Sequence, residues 1–455
     1  CSDETVLRRG DDSPVASSTT LGIPVTTDPD EIKRFLRKKH EAPAVVFCTY
    51  QSSDRIAQAQ SKGVPGFDLV IADEAHRCAG REAGLFATVL DQGKIKAKRR
   101  LFVTATPRYF TKSVQEKSNE VEDALASMDD HVTFGPVLHK ITFAEAIEKD
   151  LLTNYQVVII GVTDSEVRSL VDQAALVKTG EGQTTDARTL ASQIAVAKAM
   201  RKYDLKKVIS FHSTVAAAQA FSDSDSATSL AGVIKTLKRS SRPSGKLWSS
   251  HVSGKTPTGK RTNLIKHFAA LPEGTRGLLS NCSCLGEGVD VPVLDGVAFV
   301  APKRSQVDII QAVGRVIRLA KDKEIGTIVI PLFIDQSEDA DEALSRSAFE
   351  PIWRVLCALR AHDASLADEL DNLRLRLGDL TKRPGKLRLP VKIQIDLHRS
   401  LPSSFEDAFY LRTVETTTNR QFLPFEDARG FVHKLDLNSQ REWFAYCNGT
   451  MTDEI

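Results

Sequence analysis

The order of apolar runs along the chain predicts an α/β protein: two doubly wound parallel-sheet units in tandem, followed by a C-terminal helical extension. Short β-rich runs alternate with helical spacing through residues 44–103 and again through 207–331. At 455 residues the chain is also too long for a single core. After residue 337 the apolar period turns wholly helical.

In the first unit the strands expected are 44–48, 67–72 and 100–103, with helices over 30–39, 54–62 and 83–91. A short amphipathic helix within 143–155 then leads into a strand at 156–160. The second unit places strands at 207–211, 277–281, 296–300 and 326–331, and helices at 190–203, 259–270 and 306–319. Residues 222–250, rich in Ser and Lys, read as an insertion around a helix at 231–238. Phe349, Ile352, Trp353, Leu356 and Leu359 recur at helical spacing, and Leu370, Leu373 and Leu377 continue the pattern. Residues 381–390 read as a linker. The expected divisions are 1–137, 138–340, 341–400 and 401–455.

Hydrophobic content of 41% and charged content of 26% are ordinary for a globular protein. No apolar run suits a membrane span and no charged-then-apolar leader opens the chain, so no membrane partner is expected. A cytoplasmic, nucleoid-associated protein is expected, or a nuclear or organellar one in a eukaryote. The seven cysteines are scattered without paired spacing, which argues for reduced thiols rather than zinc. A net charge of +2 says little about partners, because positive potential can be confined to one groove. Two basic stretches stand out, Lys94, Lys96, Lys98, Arg99 and Arg100, then Lys382, Arg383, Lys386, Arg388 and Lys392, and either can be a plain solvated face. The chain opens on Cys1 inside a continuing pattern and reads as a fragment.

Phe67 to His76 spell an apolar strand that ends in two carboxylates, Asp73 and Glu74. Such a strand delivers them to the carboxyl edge of a parallel sheet, where ligands bind. Asp73 is suited to Mg²⁺, which favours oxygen ligands and keeps much of its water. Glu74 is suited to orienting and deprotonating a water that attacks a γ-phosphate. Ala75 keeps the turn tight, and His76 can bond across to a sensor of nucleotide state. One strand later, Thr104 and Thr106 offer hydroxyls that can couple those carboxylates to the other unit, although a Thr-rich strand end before proline is also a common turn.

In the second unit Gln311, Arg315 and Arg318 fall at i, i+4 and i+7 and are expected to share one helix face. Guanidinium groups on that face can stabilise charge in a phosphoryl-transfer transition state. Gly314, costly inside a helix, suggests close backbone approach there. Upstream, Gly286 and Gly288 permit tight approach to a sugar-phosphate backbone, and Asp290 can accept from ribose or from the arginine helix.

DEAH at residues 73–76, TATP at 104–107, EGVDVP at 287–292 and QAVGRVIR at 311–318 stand in the order of motifs II, III, V and VI, and the chain resembles the superfamily 2 helicases over about 40–335. It is most similar to bacterial members related to restriction-enzyme motor subunits, which carry a linker like AEAI and LLTNYQV. The resemblance implies two RecA-like units, ATP and Mg²⁺ between them, and nucleic acid as partner, with DNA favoured over RNA. It implies backbone contacts from Thr49, Tyr50, Gln51 and Ser52 and from the Phe211, His212, Ser213 segment. His76, Gly288, Asp290 and Gly314 would line the nucleotide. Residues 422–455 resemble the opening of a phage-integrase-type repeat.

One departure weighs on the activity. The family's phosphate loop, GxxxxGK[ST], is not found in these residues. Gly254, Lys255 and Thr256 lack its first glycine and lie in the second unit, so Gly254 is read as a nucleic-acid contact. The expectation is a helicase or translocase motor whose 455-residue piece is inactive alone. The alternatives are a nucleic-acid-binding module without its own ATPase, or the motor of a restriction or defence complex with nuclease or methyltransferase subunits.

Overall fold

The computed structural model describes residues 25–81, 85–110, 125–174, 187–282, 291, 293–301, 305–321, 323–334, 346–380, 391–397 and 409. The integrase-like segment, Gly286, Gly288 and Asp290 therefore lie outside the described residues.

The first unit opens with α1 (Pro29–Arg37), where Pro29 fits the first turn and Asp28 caps it by accepting the Asp30 amide at 2.9 Å. A 3₁₀ turn (Tyr50–Ser52) runs into α2 (Ser53–Ser61). β1 (Phe67–Ala72), β2 (Gly80–Arg81), β3 (Ala97–Phe102) and β4 (Leu125–Ala126) follow. β1 and β3 pair in parallel from Phe67 opposite Ala97 to Ala72 opposite Phe102, so both strands end at one edge. β2 and β4 form a small antiparallel pair.

Two expectations fail here. Residues 44–48 form no strand; Val45 and Phe47 are 65% and 77% exposed, because an apolar run becomes a strand only where a neighbouring ladder accepts it. Over 83–91 the described part is a 3₁₀ helix (Leu85–Val89) rather than an α-helix. There Arg100 claims the carbonyls of Val89, at 2.9 Å, and Ile95, together with the Gln92 side chain. Arg100 thus holds a loop together, and Lys98 pairs with Asp68 at 2.7 Å.

The second unit begins at α3 (Phe143–Glu148), whose capping box joins Thr142 and Glu145. β5 (Asn154–Thr163), α4 (Asp164–Ala174), α5 (Ala187–Lys202), β6 (Lys207–Phe211), α6 (Val215–Ser222), α7 (Leu230–Thr236) and β7 (Lys246–Ser253) come next. The chain continues through α8 (Thr258–Ala269), β8 (Thr275–Cys282), β9 (Gly296–Phe299), α9 (Gln306–Val316), β10 (Ile325–Ile334), α10 (Arg346–His362), α11 (Ala364–Leu380) and β11 (Ile393–Asp396). Seven strands form one parallel sheet in the order β11-β5-β10-β9-β6-β8-β7. Its central strands are apolar nearly throughout because helices cover both faces. Among the described residues no helix is long and apolar enough to cross a membrane.

The 222–250 stretch is not merely an insertion. It delivers β7, whose serines are tolerated on an edge strand and whose Ser249 hydroxyl donates to the Ser222 carbonyl at 2.7 Å. The segment 381–390, read as a linker, lies outside the described residues, and a further strand follows it. α10 and α11 break at Asp363, and β11 returns to pair with β5 at the opposite edge, so residues beyond 340 complete the second sheet.

A buried cluster joins these parts. Asp363 accepts the Tyr155 hydroxyl at 2.6 Å and the Lys392 ammonium at 2.7 Å, and it caps α11 through the Leu366 amide at 3.1 Å. Burial pushes the Asp363 carboxyl up, but these bonds outweigh it and hold the group below the ordinary aspartate range. The stabilisation is therefore present above the unfolded aspartate pKa, about 3.9, and lost as pH falls through the lower folded value. Asp363→Ala leaves Lys392 and Tyr155 without that carboxylate and should cost about 3–5 kcal/mol, read as a lower urea midpoint at neutral pH. A midpoint within error of wild type would show the cluster to be dispensable.

Candidate active site

β1 ends at Ala72, and the next two residues stand at the carboxyl edge of the sheet. The turn after them is tied to β3: the Val103 amide donates to Ala72 O and the Ala75 amide to Val103 O, both at 2.9 Å. Glu74 takes a left-handed conformation, φ 49 and ψ 46. That costs a non-glycine residue on the order of 1–2 kcal/mol, so the surroundings must hold it. Asp73 contributes by accepting the Glu74 amide on Oδ1 at 2.9 Å.

The Glu74 side chain meets His76, whose Nδ1 lies 3.3 Å from Oε2. The same Nδ1 is 3.0 Å from the Thr104 hydroxyl and 3.3 Å from that of Thr106. The Thr106 amide donates to Thr104 Oγ1 at 3.1 Å, which locks the two threonines together. Within this hub His76 and Thr106 are buried. The hydroxyls sought as couplers do touch the DEAH turn, through its histidine.

α9 brings the second unit to the same place. Gln311 Nε2 donates to Glu74 Oε1 at 3.4 Å, a long bond that spans the two units. Arg315, one turn further on, is only 5% exposed. Arg318 lies just past the helix end: α9 stops at Val316, and Thr153, from the linker, takes the Ile317 carbonyl with its amide at 2.8 Å and its hydroxyl at 3.1 Å. Arg318 bridges Leu152 in antiparallel fashion. Burial, with Arg318 nearby, holds Lys323 down to about 8, against the opposing pull of Asp295. Thr153 is the functional-looking residue that helical spacing alone does not reveal. A Cβ built at Gly314 meets nothing within 4 Å among the described residues.

The expected nucleic-acid contacts divide. Thr49 and Gln51 are exposed, as are Ser213 and Gly254, the latter just beyond β7. Ser52 is partly buried. Tyr50 is half-buried and turns inward, its hydroxyl donating to the Asp73 carbonyl at 2.5 Å. His212 is 3% exposed, packs against Phe221 and bonds through Nε2 to the Ser210 hydroxyl at 2.9 Å. A side chain so enclosed cannot reach a strand outside, so direct backbone contact is withdrawn for His212.

Burial lowers the His212 pKa to about 4, against 6.5 unfolded. Above pH 6.5 both states are neutral; below it the unfolded chain takes a proton that the folded chain refuses, and stability falls until about pH 4. The loss should approach ~3 kcal/mol at about 1.4 kcal/mol per pH unit. Urea midpoints between pH 7 and 4 should show His212→Gln losing that slope; a variant with the wild-type slope would place the titration elsewhere.

Residues 20–109 match the model of the type III restriction enzyme res subunit, and residues 193–320 match the helicase conserved C-terminal domain. A probable helicase of African swine fever virus is 28% identical over 356 residues, covering 77% of this chain and 34% of the relative. The chain thus spans about a third of the curated relatives it matches. Among solved structures, the ATP-dependent type ISP restriction-modification enzyme LlaBIII bound to DNA superposes with a TM-score of 0.71 at 26% identity, over 90% of this chain and 27% of that one. A nuclease-deletion mutant of the type ISP enzyme LlaGI with a DNA substrate mimic shares the fold, with a TM-score of 0.54 at 23% identity over 96% of this chain and 27% of that one. The two family-model matches end at residue 320 and lend no support to the integrase-like resemblance.

Proposed function

Because this chain carries the motor domains of a superfamily 2 helicase of the restriction-subunit type, we propose that it works within an ATP-driven nucleic-acid motor, with DNA as the track. The observation that carries this is the contact of Gln311 with Glu74, which brings the acidic turn of one unit against the arginine helix of the other. ATP is placed in that gap. Glu74 orients and deprotonates the attacking water, and His76 with Thr104 and Thr106 holds its carboxylate in place. Arg315 shares the helix with Gln311 and is the arginine assigned to stabilise the transferring phosphoryl charge. Arg318, just past the helix end, is the second arginine proposed for that role.

Asp73 is exposed and uses Oδ1 for the Glu74 amide, an arrangement that fits Mg²⁺ held by one carboxylate with water and phosphate oxygens. When bound, the ion would neutralise charge on the phosphates. Thr49, Gln51, Ser213 and Gly254 are offered to the sugar-phosphate backbone, which implies sequence-independent, salt-sensitive binding.

The likeness to a DNA-bound restriction-modification enzyme favours a motor in a restriction or defence assembly, working with nuclease or methyltransferase functions, over a free-standing unwinding enzyme. A binding module without ATPase is the competing reading, because GxxxxGK[ST] does not occur in these residues. The 455-residue chain alone should therefore hydrolyse no ATP above background, and steady turnover by the purified chain would refute the assignment of the phosphate site. In a longer protein that contains the loop, Glu74→Gln should lower DNA-stimulated turnover by about 10³-fold while ATP binding stays within about twofold. Turnover at the wild-type rate would remove Glu74 from the chemistry.

A further inference from the structure

We propose that Tyr50 is a positioning residue for the hydrolytic carboxylate: its hydroxyl, bonded to the Asp73 carbonyl, fixes the Asp73–Glu74 peptide and so ties the 49–52 turn to turnover at Glu74. This rests on the reading of Glu74 as the base. The family resemblance sets Tyr50 beside Thr49, Gln51 and Ser52 as a contact to the sugar-phosphate backbone, but its hydroxyl points to the other end of the machinery, 2.5 Å from Asp73 O.

The left-handed turn at Glu74 is held by bonds on both flanking peptides. The Glu74 amide donates to Asp73 Oδ1 at 2.9 Å, the Ala75 amide to Val103 O at 2.9 Å, and the Arg77 amide to Glu74 O at 3.0 Å. Those bonds come from the turn itself or from the residue that follows β3. Tyr50 supplies the bond that arrives from the segment bearing exposed Thr49 and Gln51. Its ring is seated edge-on against Phe86, with centroids 6.0 Å apart, and the base of its turn is pinned by the Ser53 hydroxyl donating to Tyr50 O at 2.6 Å.

A phenol keeps its proton at neutral pH, so the Tyr50 hydroxyl is a donor to the Asp73 carbonyl. A strand that engages the Thr49 and Gln51 groups pulls on a segment joined by one bond to the peptide preceding the base. Without that bond the peptide can rotate and Glu74 can relax toward the right-handed region, which carries its carboxylate away from Gln311.

The test is Tyr50→Phe, which keeps the ring against Phe86 and deletes the hydroxyl. In a longer protein containing the phosphate loop, kcat for DNA-stimulated ATP turnover should fall about tenfold, or ~1.4 kcal/mol in barrier, with KM for ATP and the dissociation constant for duplex DNA within about twofold. In the 455-residue chain itself, amide exchange over 73–77 should accelerate at an unchanged thermal midpoint. A wild-type kcat overturns the proposal, as does a loss confined to DNA affinity with kcat at saturating DNA intact, which returns Tyr50 to strand contact. Glu74→Gln measured alongside separates the readings. If it leaves turnover intact, the hydrolytic role of Glu74 fails and the positioning role with it; if it abolishes turnover while Tyr50→Phe is silent, only the positioning role fails.

Discussion

The parallel pairing of β1 with β3 is the constraint on which the site depends. Because both strands run the same way in matched register, their carboxyl ends arrive side by side, and Asp73, Glu74 and His76 face Thr104 and Thr106. Antiparallel neighbours would send one group to each end of the sheet. The ladder then continues past the strands as two backbone bonds between Ala72, Val103 and Ala75, and these allow a non-glycine residue to stay in a strained conformation where its carboxylate is exposed to the gap. Strain, register and chemistry are thus set by the same few hydrogen bonds.

Much of this was legible in the residues. The strand ending in Asp73 and Glu74 is found where its apolar run predicts, and 207–211 matches β6 end to end. The threonines one strand later sit against the DEAH turn because β3 neighbours β1, which the chain order of the motifs already implied. What escaped the sequence has a common cause: the deciding partner is remote. Nothing local in QAVGRVIR says that Thr153, more than a hundred residues earlier, will take the Ile317 carbonyl just past the end of α9. Nothing in the serine-rich 246–253 run announces a strand, because an edge position relaxes the demand for apolar side chains on both faces. His212 and Tyr50 show the converse error. Motif position identified important residues, yet the direction of each side chain is a matter of packing, and both turn inward.

The two units meet the proposed ligand differently. The first provides a carboxylate hub held by short local bonds, whereas the second provides a helix that presents Gln311 from its middle and whose end is anchored to the linker. Among the described residues of the two basic stretches, Arg100 is spent on a loop, Lys98 pairs with Asp68, and Lys392 lies against Asp363 and the Tyr155 ring. Positive residues that ligate their own fold are unavailable to a polyanion, which is why a count of lysines and arginines is a poor guide to a groove.

β11 has a mechanical implication. By joining the rim of the seven-stranded sheet beside β5, with Lys392 inserted into the Asp363 cluster, it ties the chain after the helical pair to the second unit. Force applied to the chain beyond it would load a parallel ladder in shear, with several backbone bonds sharing the tension, instead of peeling a helix away turn by turn. Cargo attached downstream would ride with the second unit as a crane arm rides with its turret.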